Sequence, residues 1–529
     1  MSITQTLQGL LPASSIAVDP ETIALYSQDV FGRGCPLAAV VRPSSVEEIQ
    51  ALVKSCGEQG VAMITRGGGM SYTAGYLATE QNSVLIDMAQ MNKIVDLNIE
   101  DGFVTVEAGV TWSQLHETLK PHNLRTPFWG TLSGSCATVG GGLSQNGVFW
   151  GSGYNGSAGD SLLSLAVVTA DGELLHTGAA SQKAGTPFMR HFGPDLTGLF
   201  VGDCGALGVK VTATLPLVPM AGARAYTSHA FSDAAAMMSA MAEVSRQALA
   251  SECFGFDPYL QQQRMKRASL SADVVQLSGV MKGKSSFLAK IISGVKIAFA
   301  GRRFMDEVKW SFSTISEGRT QTEADFQAQV IRSICKRHDG NVLADSIPRL
   351  LSANPFGPVN NMVGAEGERW LPIHALVPHS KAHQTIALIK KTYARHQDSM
   401  ATYAIKTGFL IATVSQQITL IEPVFFWPDA LDKLHEHSLE PEHLKRLNRF
   451  EAVPGAWDAV NAIKTELADV FMALGASHYQ LGKAYRYYEG LKPEALATML
   501  QLKAVFDPDG ILNPNVLGLG SSNVELDNA

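Results

Sequence analysis

From residue 38 the chain switches repeatedly between short β-rich runs and helical periods. AAVVRP (38–43) is followed by VEEIQALVKSCGEQG (46–60), whose apolar positions recur at helical spacing, and then by VAMITRGGG (61–69). This order predicts a β, α, β unit. SVLIDM, FVTVEAGV, LSLAVVTADGELL and LGVKVTATLPLVP add further strands, some alternating and some continuously apolar. Between Asn123 and Leu162 helical periodicity fades and glycine and serine dominate, so a long coil is expected there.

Beyond Pro219 the character changes. FSDAAAMMSAMAEVSRQALA (231–250) and SKAHQTIALIKKTYARHQ (380–397) read as amphipathic helices, with strands such as RWLPIHALV and LIEPVFFW between or after them. The pattern shifts again near Gly475, and the chain closes with the helix PEALATMLQLKAVF and the turn DPDGILNPN, where Pro508 and Gly510 suit a type I turn. With 529 residues, more than one core usually supports, two domains or one interrupted domain are expected.

Composition is that of a folded globular protein, at 46% hydrophobic and 17% charged. The net charge of -7 argues against a phosphate backbone as partner. Six cysteines without a CxxC pair indicate neither a disulfide framework nor a thiolate metal site. The N-terminal residues lack a signal-peptide pattern, and no apolar stretch reaches the ~18 residues that span a bilayer, so a cytoplasmic protein is expected.

The candidate chemistry begins with the glycines. In RGGGMSY (66–72), consecutive residues without Cβ let amide N–H groups point into one concavity, a nest for an anion such as a phosphate. A Walker loop is excluded, since no Gly-Lys-Ser/Thr follows. A literal GxGxxG occurs at Gly151, Gly153 and Gly156 with Asp171 at the expected offset. That fingerprint requires a helix after the third glycine, and the next expected element is a strand. A second cluster, Gly140 to Gly142, lies in the coil, and two nests together suit a diphosphate held from two sides.

The series VVRPSSVEEIQALV, RGGGMSY, SVLIDMAQMNKIVDLN, VTVEAGVTWSQLHETL, ATVGGG, GDSLLSLAVVTADGELL and FGPDLTGLFVGDCGALGVKVTATLPL resembles the FAD-binding domain of the vanillyl-alcohol oxidase and p-cresol methylhydroxylase flavoproteins. FDPDGILNPN resembles that family's C-terminal signature. The resemblance implies an α+β fold with a two-part FAD-binding domain (1–218 and 475–529) and an inserted α+β cap domain (219–474). It implies that Arg66, Gly67, Gly68, Gly69, Met70 and Ser71 line one side of FAD and Thr138, Val139, Gly140 and Gly141 the other. Ser133, Asn146, Gly147, Val209 and Asn513 are further implied contacts. Met70 stands where some relatives carry a histidine tethered to the flavin, so no link forms there, and a link from the cap is left open.

The resemblance also places candidate chemistry at GASHYQLG (475–482). Tyr479 matches a tyrosine that holds a phenolate substrate, but Gln480 replaces the accompanying arginine. A second phenolate-holding tyrosine belongs to the glycine loop, where this chain most simply has Met70, with Tyr72 nearby. His478 is a candidate base, its reference pKa lying near neutrality. Asp160 matches a carboxylate close to the reacting flavin nitrogen, and His374 and His379 are candidates from a cap strand. Glu422 interrupts an apolar run and is expected to be paired or at a cavity, beside Phe425, Phe426 and Trp427. No metal is expected, because the histidines lack the family's metal-binding patterns.

The expected function is an FAD-dependent oxidoreductase taking hydride from an alcohol or benzylic carbon of an aromatic or bulky apolar substrate. D-2-hydroxy-acid dehydrogenation and non-catalytic flavin binding at a membrane are the alternatives. The expected partners are a small-molecule substrate and oxygen or another electron acceptor, with no nucleic acid. The basic amphipathic stretch 282–304 leaves peripheral membrane contact open, and homo-oligomerisation is equally open.

Overall fold

A computed structural model describes residues 3–264, 266 and 310–520; the basic stretch 282–304 lies outside them. The predicted β, α, β unit forms. Ala39–Val41 and Met63–Arg66 both pair in parallel with Val84–Asp87, and helix Val46–Glu58 crosses between the first two. Ser45 caps that helix by accepting the Glu48 N–H at 3.2 Å, and Ile49, Leu52, Val53 and Cys56 bury its apolar face. Strand Met63–Arg66 therefore delivers the glycine run at the carboxyl end of a parallel sheet.

The two chain ends share this unit. Met63 donates to Ile511 O at 2.7 Å and accepts from Asn513 N–H at 2.8 Å, so the closing segment runs beside the strand that leads into the glycines. The expected turn at Asp507 closes with Gly510 N–H on its carbonyl, and the Asp507 carboxylate accepts from Ile511 and Leu512. A five-stranded antiparallel sheet follows, in the order Ile94–Asn98, Phe103–Glu107, Val209–Pro216, Ser164–Val168, Leu174–His176.

The described residues between 223 and 427 build an eight-stranded sheet whose central strands are Ala223–Phe231, Trp310–Gly318, Glu252–Phe256, Lys406–Val414 and Ile418–Trp427. Its two faces differ. Ile421, Phe425 and Trp427 join the large core beneath helices Ala234–Arg246, Ala382–Arg395 and Ala456–Leu474. Val424 and Phe426 face the other way, with Phe254, Phe256, Leu410 and Leu420, and this second cluster meets Phe149 and Tyr479. Glu422 stands on that second face, because side chains alternate along a strand.

A buried ion pair crosses from the N-terminal part to this sheet. Arg125 holds Glu317 with both arms, at 3.2 and 2.5 Å, and Arg224 adds a contact at 3.0 Å. Among the described residues no helix is long and apolar enough to cross a membrane.

Candidate active site

The glycine loop has the property its sequence suggested. Among the described residues, the amide N–H groups of Gly68, Gly69, Met70 and Ser71 donate to nothing within the protein. Four consecutive free donors line a cavity enclosing about 910 Å³, part of it open to solvent. Arg66 supports the loop from behind, its guanidinium lying under Gly69 and 4.5 Å from the Tyr26 ring centroid, and does not line the cavity.

The second glycine run corrects the expectation of a second nest. Val139–Ser144 is a short helix, and its early amides are already used: Val139 bonds Val110 O, Gly140 bonds Ala108 O, and Gly141 bonds the Thr138 hydroxyl at 3.1 Å. Its role is close approach. A Cβ on Gly68 would collide with the Cys136 carbonyl, and one on Gly67 with the Thr138 hydroxyl. The two turns therefore touch, one offering donors and the other a wall.

Ser133, Thr138, Gly140, Gly141 and Gly147 line the same cavity as Gly67 to Ser71. Three other expected cofactor residues do not. Val139 and Val209 are fully buried in core clusters, and the Asn146 side chain accepts from Gly159 N–H. Asn513 acts at one remove: it donates to Gly75 O and Cys204 O, both at 2.7 Å, and accepts from Lys483 at 2.7 Å. It thereby fixes two cavity-lining residues against each other. The lining also includes Lys210, Cys204, Gly205 and Gln145, which were not among the expected cofactor contacts.

Gln480 also lines the cavity, held at a positive φ of 52° and donating through its backbone to Gln145 O at 2.6 Å. Its buried side-chain oxygen has no partner. Free amide donors and an orphaned acceptor in one cavity are what a dinucleotide with a polar ring edge requires, and the residues present fit FAD.

Beyond Gln480 the site becomes a buried polar cluster in aromatic surroundings. Gln480 donates to the Tyr72 hydroxyl at 3.3 Å, so it is Tyr72, not Met70, that the glycine loop sends here. Tyr479 donates to Glu422 Oε2 at 2.9 Å. Burial raises Glu422 to a pKa of about 7, against the stabilising Tyr479 hydrogen bond and the positive charge of Arg264. Burial also keeps the hydroxyls of Tyr72 and Tyr479 protonated, with pKa values well above the usual range.

The histidines serve Tyr479. His374 is fully buried and stacks on the Tyr479 ring at 3.6 Å between centroids. Its Nε2 reaches the Tyr479 carbonyl at 2.5 Å and its Nδ1 the Tyr485 hydroxyl at 3.1 Å, partners that assign Nε2–H donating and Nδ1 accepting. Burial holds its pKa well below the usual range, so it stays neutral. His478 donates through Nδ1 to His374 O at 2.8 Å, and burial lowers its pKa to about 4. That is a poor match for the expected base; its geometry is that of a brace.

Asp160 does not join the cluster. Its exposed carboxylate accepts from the N–H and hydroxyl of Ser157, both at 2.8 Å, in a capping box. His379 is bonded elsewhere, to the Thr419 hydroxyl and Gln416 O. Among the described residues no three His, Cys, Asp or Glu side chains converge on a metal position. The GxGxxG segment ends a four-residue helix at Gly156 and leads into a strand, without the helix a dinucleotide fingerprint needs.

Comparison with known proteins agrees with this geometry. Residues 36–178 match the model described as FAD binding domain, and residues 451–517 match FAD linked oxidases, C-terminal domain. The chain is 23% identical over 500 residues to a mitochondrial cytochrome-type D-lactate dehydrogenase of Arabidopsis thaliana, covering 90% of this chain and 73% of that one. It is 32% identical over 213 residues to a D-2-hydroxyglutarate dehydrogenase of Xanthomonas citri, covering 40% of this chain and 43% of that one. The fold matches that of substrate-bound p-cresol methylhydroxylase with a TM-score of 0.73 at 18% identity, covering 98% and 97% of the two chains. With one domain assembled from both chain ends around a cradle that fits FAD, this chain carries the FAD binding domain and the C-terminal domain of FAD linked oxidases on the fold of p-cresol methylhydroxylase, and is an FAD-dependent oxidoreductase.

Proposed function

We propose that the protein oxidises a hydroxyl-bearing or benzylic carbon of an aromatic or bulky apolar substrate, bound against the Glu422 face of the cap sheet. Bound FAD would accept the hydride removed from that carbon. The observation that carries the reading is the Tyr479–Glu422 hydrogen bond at 2.9 Å, buried in an otherwise apolar wall that includes Phe254, Phe256 and Phe426. Tyr479 receives the substrate hydroxyl proton as it passes its own to Glu422, so the pair removes one proton without forming an isolated tyrosinate. Stacking on His374 and the hydrogen bond from His374 to the Tyr479 carbonyl hold the phenol in register. The aromatic wall excludes water, which strengthens each polar contact inside.

A second reading, oxidation of a D-2-hydroxy acid, is supported by the two dehydrogenase relatives. Anaerobic mixing of the FAD-loaded protein with aryl alcohols and with D-2-hydroxy acids separates the two. Flavin bleaching by aryl alcohols alone supports the first reading; bleaching by hydroxy acids alone replaces it with the second.

A further inference from the structure

Buried Arg125 and Lys210 pair with Glu317 and Asp203, and half-buried Lys483 has two carbonyls and Asn513. Arg264 is half-buried and differs from these: among the described residues it makes no ion pair and no hydrogen bond, and its guanidinium lies 4.3 Å from the Phe256 ring centroid.

The sheet register says where this cation stands. Phe256 pairs with Leu410, and Leu410 pairs with Glu422, so the three occupy one row across three strands. Neighbouring strands are about 4.8 Å apart, which sets Phe256 and Glu422 about 10 Å apart with Leu410 between them. Among the described residues, the charge that acts on Arg264 is Glu422, yet the Glu422 hydrogen bond goes to Tyr479. A guanidinium serving only as counterion to Glu422 would close on it. This one instead stacks on an aromatic ring, with its planar donor fork uncommitted among the described residues.

We propose that Arg264 is a specificity-determining residue that takes an oxyanion of the substrate, a carboxylate or a phenolate, over Leu410 and beside the Tyr479–Glu422 pair. The inference rests on the preceding reading insofar as that places the substrate against this face. Burial lowers the Arg264 pKa to about 10, which leaves it charged throughout the physiological range.

The test is calorimetric titration of the FAD-loaded protein with benzoate, 4-nitrophenolate and the neutral isostere benzamide. At least one anion is expected to bind ten-fold or more tightly than benzamide, and which of them does so identifies the carboxylate or the phenolate. Arg264→Gln should reduce that affinity at least ten-fold with FAD content and melting temperature retained, and Arg264→Lys should recover part of it. Equal binding of benzamide and both anions by the wild type, or undiminished anion binding by Arg264→Gln, overturns the proposal. The wild-type comparison decides the matter even if a variant fails to fold. Arg264-dependent anion binding without flavin reduction by any alcohol sustains this inference and sinks the alcohol-oxidation reading; reduction by aryl alcohols with no anion preference does the reverse.

Discussion

The Tyr479 hydroxyl sits 2.9 Å from Glu422 Oε2, joining the C-terminal segment of the FAD-binding part to a buried acid on the inner face of the cap sheet. If this bond carries the substrate proton, Tyr479→Phe and Glu422→Gln should each slow anaerobic flavin reduction by about 10²-fold, the low end of the range for a lost general base. FAD content should stay at the wild-type level, since neither side chain lines the cradle. Stopped-flow absorbance of each variant checks both statements.

His478 supplies a contrast. With its Nδ1–H on His374 O and a pKa lowered to about 4, it is neutral at working pH and acts through position. His478→Gln, which keeps a donor, should lose less than ten-fold in the rate of flavin reduction and leave its pH profile unmoved. A profile shifted by this substitution would make the imidazole the base instead.

Gly68→Ala tests the cradle. The new Cβ would collide with the Cys136 backbone carbonyl, which cannot swing away as a side-chain end can. Such overpacking costs about 1–3 kcal/mol and separates the two turns. FAD uptake, read from visible absorbance and flavin fluorescence, should fall at least ten-fold.

Arg125→Met examines the bond between the two parts. It leaves buried Glu317 with Arg224 alone, and breaking a buried pair from one side costs about 3–5 kcal/mol. A lower melting temperature is expected, with the flavin site itself intact. Asn513→Ala should also lower it, by removing two buried donors to carbonyls, and should weaken FAD binding through Gly75 and Cys204.

Much of this fold was legible in the sequence, because its signals are local. Ser45 before an apolar helical period, the alternation in FVTVE and the Asp507 to Gly510 turn each specify structure within a few residues. The site was legible in part for the same reason. Glu422 was marked by interrupting an apolar run and Tyr479 by its motif. What escaped depends on tertiary contact. Arg264, stacked on Phe256, is brought towards Glu422 only through the register of three strands, and Tyr72 meets Gln480 across 408 residues of chain. Periodicity likewise could not reveal that the amides of Gly140 and Gly141 are consumed inside a short helix. Asp160 misled because a capping box leaves the same local pattern as a functional carboxylate.

The most direct measurement is the pH dependence of single-turnover flavin reduction in the wild type and in Glu422→Gln. Burial raises this carboxyl to about 7, so below that pH it is protonated and cannot accept a proton, and above it the carboxylate is available. The wild-type rate should climb through about pH 7 and level off, while the Glu422→Gln rate should be low and flat over the same window. A wild-type rate indifferent to pH, or a variant that keeps the rise, would contradict the role assigned to the Tyr479–Glu422 pair.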